Sequence, residues 1–320
     1  MSHELVRLIA DIGGTNARFA LLSKAHGIHQ QRVLTCANYT DIAAAIEDYF
    51  SMVGNPLITE AALALATPIV SDQVKMTNNH WSFSIDALKQ QMGFDQLIVK
   101  NDFTALAMSI PLLSVTDLVQ VGGVINESGK KTALALVGAG TGLGVSGLIP
   151  LGDLWVPLEG EGGHVTAAPA NDREFDIIRI CKQQYPHVSA ERLVSGMGLQ
   201  NLYQSICTLE QVTAEPLTPQ DVSDRALDGS NAYCVEALDI FCGLLGSVAG
   251  DVVLTLGAYQ GVYIGGGIVP KLGRYFEQSS FRQRFEAKGR FKKRLEQVPA
   301  FVIDAQNPAL LGIGEAFTLT

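Results

Sequence analysis

The stretch LIADIGGTNARFALL, residues 8–22, decides the fold. Two apolar runs flank Asp11-Ile-Gly-Gly-Thr-Asn16, so they read as strands joined by a tight turn in which glycine supplies positions that other residues reach poorly. A second stretch, LALVGAGTGLGVSGLI at residues 134–149, repeats the pattern around Gly138-Ala-Gly-Thr-Gly-Leu-Gly144. Each hairpin opens one half of the chain. Duplicated α/β halves with facing glycine hairpins would form a cleft, where ligands tend to bind. Two unrelated hairpins are the alternative, since glycine turns are common.

Working outward, residues 5–10, 17–22 and 30–35 read as strands, followed by a helix near 41–53. Strands are expected at 61–66, 73–76 and 97–100, with a helix at 84–92 capped by Ser82 or Ser84. Residues 132–137 and 143–149 open the second strand set, and 171–256 reads as mostly helical. The helix near 231–256 is apolar on several faces and should be buried. A strand at 261–264, a helix opening at Pro270, a strand at 299–303 and a helix near 309–317 complete the pattern.

At 320 residues the chain is long enough for two hydrophobic cores. Its 47% apolar and 17% charged content excludes disorder, and its net charge of −9 argues against a nucleic-acid partner, which needs basic patches. Residues 132–149 and 252–270 carry no charge and are long enough to cross a bilayer, but both are rich in glycine. They are expected to be buried strands joined by turns, in a soluble chain without a membrane partner. The five cysteines include no C-x-x-C pair and read as buried residues in a reducing compartment, the cytoplasm. No signal peptide is expected, because Glu4 and Arg7 flank a strand-like run.

Glycine turns let backbone N–H groups converge on an anion. Asp11 precedes one such turn, and a carboxylate there would repel phosphate unless a cation intervened. It is thus a candidate to orient Mg²⁺, through water, or else a residue making a local turn hydrogen bond. Gly142-Leu-Gly-Val-Ser-Gly147 matches G-x-G-x-x-G, but it runs straight into an expected strand, whereas a dinucleotide fingerprint needs a helix there. No Walker A run exists. Kinase architectures that bind ATP by hairpin turns remain.

Asn101-Asp102 ends the strand Leu97-Ile-Val-Lys100, where a carboxylate can reach a ligand; either residue could instead cap the following helix. Leu158-Glu-Gly-Glu-Gly-Gly-His164 sets two carboxylates and an imidazole among three glycines. Glu161 and His164 could bind a polyol there, or the segment could be an exposed flexible loop. Glu191, two residues after Ser189, is by itself ordinary helix-start chemistry.

Together these segments resemble the bacterial glucokinase family of the actin-like ATPase and sugar kinase superfamily. The resemblance rests on Asp11-Ile-Gly-Gly-Thr-Asn-Ala-Arg18, Met76-Thr-Asn78 with Trp81, Asn101-Asp-Phe-Thr-Ala105, Gly138–Gly144, Glu161-Gly-Gly-His164, Ser189-Ala-Glu-Arg192 and Gly265-Gly-Gly-Ile-Val-Pro270, in family order over nearly the whole chain. It implies a two-lobed α/β fold of ribonuclease H-like type, with ATP and sugar in the interdomain cleft. The small domain would take residues 1–111 and 304–320, the large one 112–303.

The resemblance also implies that Asn101, Asp102, Glu161, His164 and Glu191 surround the hexose, with Asp102 as catalytic base. Asp11, Gly13, Gly14, Thr15 and Asn16 with Gly140, Thr141 and Gly142 would hold the ATP phosphates, and Gly265, Gly266 and Gly267 would approach the adenosine. The chain departs from the family pattern at Ala10, at Asn79 before His80, and at Met197 within Ser195-Gly-Met-Gly198. The cysteine cluster that holds zinc in related kinases is missing.

The implied activity is transfer of the γ-phosphate of ATP to the 6-hydroxyl of glucose. Asp102, with an ordinary carboxyl pKa of about 3.9, is too weak to deprotonate a free sugar hydroxyl and would accept the proton late. A kinase for another hexose, or a non-catalytic sugar-sensing regulator on the same fold, are the alternatives. A regulator acting on DNA should carry a helix-turn-helix, and the first strand, starting near residue 5, leaves no room for one before it. A homodimer is the base-rate expectation.

Overall fold

The first hairpin forms as its pattern dictates. In a computed structural model describing residues 4–125 and 131–319, β1 (Val6–Ile12) and β2 (Asn16–Ser23) pair antiparallel, and the Gly13 N–H closes the turn on the Asn16 carbonyl at 2.9 Å. Leu8, Ala10 and Ile12 point into one core while Ile9, on the opposite face, is equally buried. Such double-sided burial is why the strand reads as a continuous apolar run.

The hairpin belongs to a unit comprising Met1–Leu113, Leu151–Glu159 and Ala305–Thr320. There follow β3 (Gly27–Thr35), α1 (Ile42–Met52), β4 (Glu60–Leu65), the small hairpin β5 (Gln73–Lys75) and β6 (Ser82–Ser84), α2 (Ile85–Met92), β7 (Gln96–Asn101) and α3 (Asp102–Ser109). The sheet order is β3-β2-β1-β4-β7, with β4 parallel to β1 and β7 parallel to β4. Ser84 caps α2 by accepting from the Ala87 N–H, and Gly93 ends it in the left-handed region at φ 70°. Phe19, Tyr49 and Trp81 fill the core between this sheet and α1.

The second unit, Ser114–Pro150 with Gly160–Asp304, holds β8 (Leu118–Gln120), β9 (Leu134–Ala139) and β10 (Leu143–Leu151). Next in the chain, β11 (Leu154–Leu158) belongs to the first unit and packs on α3. The second unit continues with α4 (Asp172–Cys181), α5 (Gly196–Leu209), α6 (Pro219–Leu227), α7 (Ala232–Leu256), β12 (Val262–Gly265), α8 (Val269–Leu272), α9 (Arg274–Gln278), α10 (Phe281–Glu286), α11 (Lys292–Leu295) and β13 (Ala300–Ile303). Its strands run β10-β9-β12-β13-β8. The β9–β10 hairpin is antiparallel, and β12 and β13 follow in parallel on its far side. The β2-β1-β4-β7 arrangement of the first unit is the same, so the two glycine hairpins occupy equivalent places in two like sheets.

Of the two readings given to 252–270, the end of the 231–256 helix followed by a strand at 261–264 is the one that forms. The stretch is not a pair of strands: residues up to Leu256 finish α7, Gly257 ends that helix with φ 64°, and only Val262–Gly265 is strand. A long apolar helix outlasts the local glycine signal because its neighbours bury it. Among the described residues α7 is the one helix long and apolar enough to cross a membrane, yet it packs against α5, α6, α10 and β9 with Phe241, Leu238 and Leu245 fully buried.

The chain returns to the first unit in α12 (Pro308–Ile313), followed by a 3-10 turn at Gly314–Thr318. This helix lies on α3 with backbone almost touching backbone: a Cβ at Gly312 would sit 1.9 Å from the Ala105 carbonyl oxygen and 2.6 Å from the Ser109 nitrogen. Gly312→Ala must push α12 off α3. We expect a loss of about 1–3 kcal/mol or more in unfolding free energy, measured by urea titration, because overpacking against backbone cannot relax through a rotamer.

Candidate active site

In the first unit the site begins where β7 becomes α3. Asn101 is the helix cap: its Oδ1 accepts from the N–H groups of Phe103 at 2.9 Å and Thr104 at 3.3 Å, while its Nδ2 donates to the Thr67 carbonyl at 3.2 Å. Asp102 is therefore released from capping and stands in the first helical turn. Its half-buried carboxyl is pushed up to about 6, first by burial and second by the negative charge of Asp11; backbone N–H groups and Asn101 oppose this.

Asp11, at the end of β1, is also raised by burial, against the pull of Arg18, whose Nη1 lies 3.3 Å from Oδ2 across the β1–β2 pair. The turn it precedes is braced from outside. A Cβ at Gly14 would come within 2.8 Å of the Asn78 backbone, and Asn79 reaches the Gly13 carbonyl with Nδ2 at 3.5 Å while its Oδ1 accepts from the Trp81 N–H at 2.6 Å. The Asn78-Asn79 pair thus ties the glycine turn to the buried Trp81.

In the second unit, Glu161, His164 and Glu191 come together. His164 Nε2 lies 3.9 Å from Glu161 Oε2, and its Nδ1 lies 3.9 Å from Glu191 Oε1. Glu161 and His164 are more than half exposed, at 58% and 57%, whereas Glu191 is 27% exposed. The glycines between them do not make a flexible loop. Gly162–His164 is a 3-10 turn laid against β10, and a Cβ at Gly163 would fall 1.9 Å from the Leu143 carbonyl oxygen. The Glu191 Oε2 accepts from the Leu143 N–H at 2.9 Å, which fixes this carboxylate beside the β9–β10 turn.

The turn itself is closed by Gly140 N–H donating to the Gly142 carbonyl at 2.8 Å. It borders a cavity of about 450 Å³, a size that suits a small ligand. Gly140, Thr141 and Gly267, all expected to serve ATP, line it together with Met197. Gly265 ends β12, and Gly266, at φ 84°, passes 2.3 Å (from its would-be Cβ) over the Ala139 carbonyl oxygen. Sequence reading missed the walls contributed by α5 and α6, namely Gln200, Gln220, Ser223 and Asp224, and Lys271 of α8. A signal was present: Thr218 and Asp221 form a reciprocal capping box that fixes where α6 starts and hence which residues share a face. Met197 is engaged as well as lining, with its sulfur 3.0 Å from Arg192 Nη1.

Among the described residues no group of three or more His, Cys, Asp or Glu is gathered for a metal ion. A Mg²⁺ at Asp11 would take most of its ligands from phosphate and water, which is how this ion is usually held, and a single largely buried carboxylate fits that demand.

A raised carboxyl pKa has a consequence for stability. The folded chain binds the Asp102 proton more tightly than the unfolded chain, so the ionised group opposes folding above pH 6 and is harmless below about pH 4. Asp102→Asn should raise unfolding free energy at pH 8 by at most about 3 kcal/mol, with the gain vanishing near pH 4. Denaturant titrations of both proteins across that range check it.

A profile of the glucokinase family matches residues 8–319. Glucokinase from Chromobacterium violaceum is 48% identical over 307 residues, which are 96% of this chain and 88% of that protein. Bifunctional protein glk from Paraburkholderia xenovorans is 46% identical over 96% of this chain, and the chain spans about half of it, 48%. The crystal structure of a glucokinase from an Antarctic psychrotroph matches with a TM-score of 0.88 at 34% identity, covering 98% of this chain and 99% of the other. The α/β fold is that of the actin-like ATPase and sugar kinase superfamily. With a family match over almost its whole length and close relatives of the same kind, the chain belongs to the glucokinase family of ATP-dependent hexose kinases.

Proposed function

We propose that the chain transfers the γ-phosphate of ATP to the 6-hydroxyl of glucose, with Asp102 taking the hydroxyl proton. The observation that carries this reading is the state of Asp102: Asn101 performs the capping, and burial beside Asp11 lifts the carboxyl to about 6. That is well above the ordinary value expected from sequence, so the base is stronger than a solvent-exposed aspartate. It still ionises far more readily than a sugar hydroxyl. Proton transfer therefore accompanies O–P bond formation, when the hydroxyl turns acidic, and does not precede it.

The remaining roles follow from chemistry at each position. Glu161 and Glu191 accept hydrogen bonds from sugar hydroxyls, His164 between them either donates or accepts, and Asn101 holds the strand end from which Asp102 projects. The turns at Asp11–Asn16 and Gly140–Thr141 offer backbone N–H groups to the ATP phosphates, and Gly265–Gly267 borders the nucleoside. Mg²⁺, when bound with ATP, supplies positive charge against the phosphate oxygens, and Asp11 would hold it through water. We read the two lobes of the fold onto residues 1–111 with 304–320 and onto 112–303, apart from the excursion Leu151–Glu159, which belongs with the first. A soluble cytoplasmic homodimer completes the proposal, supported by five buried free thiols and by the prevalence of symmetric dimers.

Steady-state assays over glucose, mannose, fructose and an amino sugar test the substrate. Glucose should show the highest kcat/KM, since groups arranged for one hydroxyl pattern are left unpaired by an epimer; preference for another sugar refutes the glucose assignment. For Asp102→Asn, glucose binding should persist while kcat falls by roughly two to four orders of magnitude. In the unmodified enzyme kcat/KM should decline about tenfold per pH unit below about 6, where Asp102 becomes protonated and can no longer accept.

A further inference from the structure

Gly142 lies in the turn expected to cradle phosphate, yet its surroundings point elsewhere. Gly140 and Thr141 line the 450 Å³ cavity, and Gly142 is absent from that lining. Its open side faces Glu191. A Cβ built on Gly142 would sit 2.4 Å from Glu191 Oε2 and 3.3 Å from Cδ. The same Oε2 accepts the Leu143 N–H at 2.9 Å, and the other oxygen faces His164 Nδ1 at 3.9 Å. Glu191 cannot retreat by moving its backbone. Ala190 N–H is tied to the Val165 carbonyl at 2.8 Å, Val194 N–H to the Ala190 carbonyl at 2.8 Å, and Ser195 Oγ to the Glu191 carbonyl at 2.7 Å.

We infer that Gly142 is a positioning residue for the sugar: it leaves the space in which the Leu143 N–H clamps Glu191 toward His164. This rests on the reading above that Glu191 binds the hexose. The clash introduced by a methyl group is with the mobile end of a side chain and not with backbone, so the fold tolerates it. The carboxylate then swings away, losing the Leu143 N–H and its place beside His164. The nucleotide side of the turn, at Gly140 and Thr141, is left intact.

The test is a double-mutant cycle with Gly142→Ala and Glu191→Asp, measuring equilibrium binding of glucose and of ATP together with their KM values. Aspartate is one methylene shorter and withdraws its carboxylate from position 142. With Glu191 in place, Gly142→Ala should weaken glucose binding about tenfold or more and leave ATP binding within about twofold. Made on top of Glu191→Asp, the same substitution should change glucose binding by less than about twofold, the non-additivity expected of residues in contact. If Gly142→Ala also lowers stability, that loss should disappear once Glu191→Asp is present. The inference is overturned if Gly142→Ala weakens ATP as much as glucose, or if its tenfold effect on glucose persists alongside Glu191→Asp. An unmodified chain that fails to bind glucose overturns the functional reading, and this inference with it; an unmodified chain that binds glucose while Gly142→Ala weakens only ATP overturns the inference alone.

Discussion

Backbone crowding around the β9–β10 turn is the constraint on which the second unit's site depends. The Gly196 N–H reaches the Gly140 carbonyl at 2.9 Å, the Ile268 N–H reaches the Ala139 carbonyl at 3.3 Å, and Glu191 holds the Leu143 N–H. Gly163 lies directly over the Leu143 carbonyl. Three segments far apart in sequence, around Gly163, Glu191–Gly196 and Ile268, thus meet on one short turn. Side chains have no room there, so the segments contribute glycine and backbone, and chemistry is carried by the few long side chains at the rim. Dense packing of this kind converts a small displacement into a change of site geometry, because interiors relax only partially.

The first unit meets a different demand, which is to hold a partly buried carboxyl in the first turn of a helix that another residue caps. An aspartate at that place would ordinarily cap the helix and have its pKa lowered by the amide groups it accepts. Asn101 makes the capping hydrogen bonds to Phe103 and Thr104 and anchors itself to Thr67, and the lowering that backbone amides still exert on Asp102 is outweighed by burial. The neutral amide caps the helix, and the carboxyl one residue later is not needed for capping. Two neighbours competing for one role, with the neutral one winning, cannot be read from the dipeptide alone.

Much of the architecture was legible because strand and helix periods differ. The hairpin at 8–22, its echo at 134–149 and the Ser84 cap all emerge where alternation, glycine and capping signals agree. In 252–270 the glycine density alone suggests a pair of strands, whereas the apolar pattern that puts a buried helix up to about 256 is the one the structure follows. The residues of the site were legible as types at recognisable spacings, but their environments were not. Nothing local distinguishes a floppy Glu161-Gly-Gly-His164 loop from one pressed on β10, since the pressing atoms belong to Leu143 and Val145. The cavity walls from α5 and α6 were missed for the same reason: they are ordinary polar helix positions until tertiary packing turns them inward.

Placing an ionised Asp102 beside Asp11 opposes folding, so the remainder of the first unit must hold the segment in place. The grip comes from both ends of α3. At its start Asn101 bonds two helix amides and a neighbouring loop; at its flank α12 approaches so closely that Gly312 faces the Ala105 carbonyl without a Cβ between them. Since α12 lies far beyond α3 in the sequence, the packing of α3 rests on a long-range contact. The close contact at Gly312 therefore bears on the stability of the same helix in whose first turn the partly buried Asp102 stands.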